Sequence, residues 1–214
     1  MDHICYCTNV HAGPTLELAR ANLERFACRT KALLAKPNPL GIGLWLPDQA
    51  ASEACQGSAL DEFAEWLRAN ELDVFTMNGF PQGNFHQAVV KHQVYMPTWW
   101  EESRLEYTRR LVQILARLLP DGGVGSISTL PIAWGSPRPA ADLLQKAADR
   151  LRRIATELHK LYEQTGKEIV IAIEPEPGCC LGDAGSVRAF FARYLLRGDD
   201  REVVRRHITV CHDV

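Results

Sequence analysis

The chain reads as an α/β protein built as a parallel barrel, the (β/α)8 or TIM-barrel arrangement, on three observations. Short apolar runs and longer amphipathic segments alternate strictly along it, a pattern that specifies a parallel sheet with helices packed outside. The turn after the first apolar run, Thr8-Asn9-Val10-His11-Ala12-Gly13-Pro14, lacks the G-x-G-x-x-G phosphate turn of an open doubly wound sheet. Polar and aromatic residues gather at the C-terminal end of nearly every apolar run: Asn9 and His11, Trp45, Asn78, Trp134, Glu174, then His212 and Asp213. A ring of functional groups on one face is how a barrel builds a site.

Taken in order, the first strand lies near His3–Asn9, and a helix follows from about Thr15 to Leu34 with Leu16, Leu23, Phe26 and Leu33 near one face. Strand two covers Leu40–Leu46. Helix two opens near Ser58, where Ser58-x-x-Asp61 has capping-box form, and buries Leu60, Phe63, Ala64 and Leu67. Strand three is Leu72–Met77. After a long connection from Asn78 to Pro97, Thr98-x-x-Glu101 reads as the capping box of helix three, whose stripe is Leu105, Leu111, Val112, Leu115 and Leu118. Asp121-Gly122-Gly123 turns the chain into strand four, Val124–Leu130. Helix four runs from about Ala140 to Gln164, with Gly166 suited to its C′ position. Strand five is Glu168–Glu174, helix five spans Ser186–Leu196, and strand six is His207–Asp213. A full barrel takes about 250 residues, whereas this sequence of 214 residues reaches only its sixth strand. Residues 1–214 therefore read as one domain supplying about six β/α units. Either they are the N-terminal portion of a longer protein, or the barrel is incomplete. Open parallel edges on such a sheet predict association of copies into a homo-oligomer.

Composition narrows the function classes. The chain is 46% hydrophobic and 23% charged with a formal charge of -2, so no basic surface points to nucleic acid. No apolar run approaches the length of a membrane helix, and Met1-Asp2-His3-Ile4-Cys5 lacks signal-peptide character, so a cytoplasmic protein without membrane insertion is expected. The seven cysteines form neither a dense disulfide framework nor a C-x-x-C zinc pattern and read as free thiols. Cys5 and Cys7 share one face of the first strand.

The most informative stretch is Ile171-Ala172-Ile173-Glu174-Pro175-Glu176-Pro177-Gly178. An apolar strand delivers Glu174 to its tip and two prolines stiffen the exit, which suits a metal ligand or general base. Glu176 is a candidate second acid that moves a proton. Asp213 ends the sixth strand and is the second candidate metal ligand. His212, facing the other way, is given a supporting role. The loop Asn78-Gly79-Phe80-Pro81-Gln82-Gly83-Asn84-Phe85-His86 is shaped by glycine, proline and aromatics, with His86 a candidate catalytic group. Asn9, His11, Asn78 and Trp134 are candidate substrate contacts, and Trp99-Trp100 reads as a roof over a sugar-like ligand or as a hydrophobic staple. No G-x-S-x-G, P-loop or H-E-x-x-H motif occurs.

These residues together resemble the xylose-isomerase-like TIM-barrel superfamily of sugar isomerases and epimerases. In that group a Glu ends strand five, and an Asp followed three residues later by His ends strand six. Glu174 and Asp213 fall on those two positions, and the His and the later ligands would lie past Val214. The run Glu174-Pro175-Glu176-Pro177 echoes the E-P-K-P of xylose isomerases, with Glu176 where the carbonyl-polarising lysine stands, which argues against an aldose–ketose hydride shift. Four runs look like strand-end motifs of the Ebo-type metabolite-traffic subgroup: Cys7-Thr8-Asn9-Val10-His11, Asn78 to His86, Ser126-Ile127-Ser128-Thr129-Leu130-Pro131 and Ile173 to Gly178. The resemblance implies a bacterial protein linked to secondary-metabolite traffic and a small-molecule partner. It also implies a divalent metal (Mn, Mg or Zn) and an isomerase or epimerase acting on a sugar-like or polar carbonyl metabolite. A non-catalytic metabolite carrier on the same fold is the alternative.

Overall fold

In the computed structural model, residues 5–34, 37–84 and 91–212 are described, the side chains of Lys91 and His92 aside. Six parallel strands form one sheet in the order β1-β2-β3-β4-β5-β6: β1 (Cys5–Cys7), β2 (Leu40–Trp45), β3 (Leu72–Asn78), β4 (Val124–Thr129), β5 (Glu168–Ile173) and β6 (Ile208–Val210). Sequential neighbours all the way across, each joined by helices, are the wall of a β/α barrel. The α/β barrel class expected from the sequence is the one observed.

Strand alternation sorts side chains between two faces. Ile42, Leu44, Val74, Met77, Ile127, Ile169, Ile171, Ile173 and Ile208 are all buried in one core with the helices. Each fully buried side chain of this size contributes about 1.5–3 kcal/mol. The opposite face is small and polar: Cys5 and Cys7 pair in register with Gly41 and Gly43, and Ser126 and Ser128 with Val170 and Ala172. A register shift between Ile42 and Gly43 aligns Gly43 with Thr76 and Trp45 with Asn78. Thr76 and Ser126 hydroxyls meet at 2.8 Å on that face.

The helices are α1 (Leu16–Asn22), α2 (Cys28–Leu34), α3 (Asp48–Ala54), α4 (Ala59–Ala69), α5 (Glu102–Leu118), α6 (Ala141–Thr165), α7 (Ala184–Phe190) and α8 (Arg201–His207). A π-turn over Leu23–Ala27 continues α1 into α2, and another over Phe191–Leu195 extends α7. Thr15 caps α1, accepting from the Leu18 amide at 3.2 Å. Gly166 ends α6 in the left-handed region at φ 71°, as its C′ placement requires. Among the described residues no helix is long and apolar enough to cross a membrane.

Several local expectations are corrected. Ser58 gives its hydroxyl to Glu62, not to a backbone amide, so Ser58-x-x-Asp61 is not a capping box. Thr98-x-x-Glu101 forms a turn ahead of α5, with Glu101 accepting from the Thr98 amide and hydroxyl at 2.7 and 2.8 Å. Glu101 is itself the N-cap residue. Asp183 and Ser186 do form a capping box, at the start of α7. His207 closes α8 and does not open strand six, because its ring is buried with Nδ1 held 2.9 Å from the Ile169 carbonyl. Trp99 is fully buried, its indole N–H donating to Thr129 Oγ1 at 3.0 Å, so it packs in the core and does not roof a ligand.

Candidate functional site

The C-terminal strand ends are tied into a continuous rim. Thr8, in the turn after β1, accepts from the Trp45 amide at 2.8 Å. The Trp45 indole donates to the Pro81 carbonyl at 3.0 Å, drawing the loop after β3 over the end of β2. Asn78 Oδ1 accepts from the Phe80 amide at 2.9 Å and from Ser128 Oγ at 3.5 Å, which fixes the turn out of β3. The Glu174 amide extends the ladder beyond β5 by donating to the Thr129 carbonyl at 2.9 Å, and the Cys211 amide does the same for β6 on the Ile173 carbonyl at 2.8 Å. By alternation Glu174 falls on the face of Ala172, Ser128 and Asn78, the polar face of the sheet.

The loops after β4 and β5 are joined to each other. Trp134 and Cys179 form an antiparallel bridge, the Gly135 amide donates to Gly178, and the Cys180 amide donates to Ala133, both at 2.9 Å. Gly178 is required here: its φ is +90°, and a Cβ would stand 2.4 Å from the Trp134 ring. Trp134 stacks obliquely on Tyr95 at 5.2 Å, and Tyr95 on Phe80 at 5.6 Å. Behind this aromatic row, Arg104 is buried inside α5 and ties down the loop after β3. Its Nη1 donates to the Gly79 and Phe80 carbonyls at 3.0 Å each, and its Nε to the Pro97 carbonyl at 2.9 Å. Burial lowers the guanidinium to about 10, yet it stays charged at neutral pH.

At the meeting point of these loops stands Glu176. Its Oε2 is buried and has no hydrogen-bond partner among the described residues. The Tyr95 hydroxyl and the Cys179 thiol lie next to it. Burial, then Cys179 and Glu176, push the Tyr95 phenol well above its ordinary value. Burial and the Glu176 charge push Cys179 up to about 12. Both groups therefore keep their protons at neutral pH beside a carboxylate. Such a cluster can hold or move a proton in a half-dry setting.

Asn78 ends β3, Trp134 lies in the loop after β4, and Glu174 and Glu176 lie in the loop after β5, all at the C-terminal ends of the strands. Asn9 lies on the turn after β1. His11 is engaged in an aromatic stack, with its ring 4.0 Å from Phe26 and Nε2 2.5 Å from the Tyr6 hydroxyl. His86 and Asp213 lie outside the described residues. Tyr95, Cys179 and Arg104 were not singled out from the sequence. The position of Cys179 directly after the turn Pro177-Gly178 was the available signal, while Tyr95 and Arg104 gave none. Among the described residues no three His, Cys, Asp or Glu side chains gather as a metal-binding group. For a divalent cation, the described rim thus offers the carboxylate of Glu174 and falls short of a full ligand set.

Two clefts of about 330 Å3 lie against the loop after β4. One is apolar, lined by Tyr95, Trp100, Trp134, Pro137 and Leu143. The other lies against Cys179, Cys180, Arg138 and Arg193. A larger cleft of about 450 Å3 opens at the opposite end, against Leu72, Asp73 and Lys167. The Lys167 ammonium there is spent on the Ala116 and Leu119 carbonyls at 2.8 Å, and that end of a barrel serves stability.

No protein-family model and no curated protein matches this chain. Solved structures do match it. The 3-keto-D-glucoside 4-epimerase YcjR from E. coli, in its apo form, superposes with a TM-score of 0.53 at 15% identity, over 98% of this chain and 67% of that one. A xylose isomerase domain protein from Alicyclobacillus acidocaldarius subsp. acidocaldarius gives 0.52 at 13%, over 97% and 62%. The IolI protein with a bound zinc atom gives 0.48 at 13%, over 92% and 60%. The likeness is one of fold. The chain spans between 60% and 67% of the length of these proteins.

Proposed function

We propose that this chain forms the larger part of an isomerase or epimerase barrel acting on a sugar-like or polar carbonyl metabolite. The observation that carries the reading is Oε2 of Glu176, buried and without a hydrogen-bond partner among the described residues, beside two protonated donors, Tyr95 and Cys179, at the C-terminal rim. A substrate carbon acid placed against Trp134 would lose its proton to Glu176. The neutral Tyr95 hydroxyl would donate a hydrogen bond to the oxygen that gains charge. Return of the proton to the other face gives epimerisation, and its return to the neighbouring carbon gives isomerisation. Glu174 and Asp213 are proposed as carboxylate ligands of a divalent cation (Mn, Mg or Zn), which would polarise substrate oxygens when bound. His86 is proposed as a further catalytic group. Asn9, His11, Asn78 and Trp134 are proposed as substrate contacts. The motif resemblance supports a place among bacterial, cytoplasmic Ebo-type proteins of secondary-metabolite traffic, and β1 and β6, the outer strands of the sheet among the described residues, support self-association.

The test is proton exchange in D2O, followed by NMR on a panel of 3-keto-glycosides, ketoses and aldoses. Deuterium enters α to the carbonyl, and Glu176→Gln lowers the rate by about 10²–10⁴-fold. Binding without exchange in the wild type would move the protein to the carrier reading. Separately, Glu174→Gln weakens Mn²⁺ or Zn²⁺ binding, and equal affinity in both forms removes Glu174 from the metal site.

A further inference from the structure

We propose that Cys5 and Cys7 form a two-thiolate site for a soft, thiophilic cation of the copper(I) class, on the polar face of the sheet at its β1 edge. The two residues stand at i and i+2 of β1, so their side chains leave the strand on one side. Their sulfurs lie 4.0 Å apart. Thiolate–metal bonds of about 2.3 Å place two sulfurs on one ion about 3.8 Å apart in tetrahedral geometry and about 4.6 Å apart in linear geometry. The observed spacing falls inside that range. A disulfide needs sulfurs at about 2.05 Å and Cα atoms no more than about 6.8 Å apart, whereas a strand rise of about 3.3 Å sets i and i+2 near that limit. A disulfide would draw the sulfurs about 2 Å closer than they stand, whereas an ion bridges them at the observed spacing.

The partner strand is cleared for such an ion. Cys5 pairs in register with Gly41 and Cys7 with Gly43. A Cβ at position 43 would stand 3.1 Å from Cys7 Sγ and 3.6 Å from Cys5 Sγ, so a larger residue would occupy the floor of the site. Cys7 is exposed and Cys5 half-buried. Burial and the neighbouring thiol keep Cys5 protonated, which slows oxidation of the pair. A coordinated soft ion displaces those protons outright. Each thiol releases one proton to solvent and no electrons are exchanged. Two of the other half-buried thiols are engaged elsewhere: Cys28 with Asn70 Oδ1 at 3.8 Å and Cys180 with the Trp134 carbonyl at 3.7 Å.

The site does not depend on the isomerase reading, and its test needs no turnover. The reduced full chain is titrated with copper(I) held by a chromogenic copper(I) chelator, under a thiol-free reductant. The wild type takes one equivalent from the chelator. Cys5→Ser and Cys7→Ser each weaken uptake beyond the 10–100-fold that loss of an outer-sphere partner costs. Gly43→Ala weakens it with both sulfurs in place, and Cys180→Ser leaves it unchanged. The double variant Cys5→Ser/Cys7→Ser, folded by far-UV circular dichroism, overturns the proposal if it takes copper(I) as the wild type does. So does uptake that is lost in Cys180→Ser and kept in Cys7→Ser.

Discussion

Arg104→Met tests how the rim is held. The guanidinium donates to three carbonyls, those of Gly79, Phe80 and Pro97, and Arg104 is fully buried. Methionine keeps much of the apolar stem and leaves those three carbonyls without a donor. Each orphaned buried acceptor costs about 1–3 kcal/mol, or about 6 kcal/mol for three. Removing the cation returns its desolvation cost. Burial lowers the group from 12.5 to about 10, and at 1.36 kcal/mol per pH unit that is about 3 kcal/mol. The difference is a loss of about 3 kcal/mol. The assay is urea unfolding, read as a lower midpoint at an unchanged slope. In a chain of this size the same loss lowers Tm by about 6–12 °C. A change under about 1 kcal/mol would show that the three carbonyls find other donors and that Arg104 does not fix the loop after β3. Arg104→Lys should recover only part of the loss, because a single ammonium lacks the planar fork.

Two further outcomes follow from single residues. Gly178→Ala places a methyl 2.4 Å from the Trp134 ring at φ +90°. It is expected to cost about 1–3 kcal/mol and to change the Trp134 fluorescence, so unaltered emission and stability would contradict the packing of these two loops. For His207, burial and the Ile169 contact hold the ring, with burial the larger effect and its direction downward. The unfolded chain therefore binds the proton more readily, so the contribution is present above the unfolded value of about 6.5 and is lost as pH falls below it. His207→Gln should flatten the stability profile between neutral and mildly acidic pH, and an identical acid slope in wild type and variant would refute this.

Periodicity made the barrel legible. Ile169, Ile171 and Ile173 alternate with Val170 and Ala172, which sets the isoleucines together on the helix side of a parallel sheet. It failed where an element carries little apolar signal. Helix α3, with the sequence Asp48-Gln49-Ala50-Ala51-Ser52-Glu53-Ala54, buries only alanines. Helix α8 buries Val204 and His207 among charged neighbours, so its last residue read as the start of a strand. The capping patterns at Ser58 and Thr98 match a local rule, yet nearby carboxylates, those of Glu62 and Glu101, take both hydroxyls.

By itself the sequence determined the order of the six strands, the place of Glu174 directly after β5 and the placing of Cys5 with Cys7 on one face, because each depends on residues a few positions apart. Only the tertiary structure decided what surrounds Glu176. Tyr95, Trp134 and Cys179 come from three different loops, and no local pattern encodes their meeting. The same holds for Arg104, whose reach to Gly79 crosses 25 positions of chain. Contacts of that kind are set by how helices and loops pack over a twisted sheet, and that packing is a property of the whole fold.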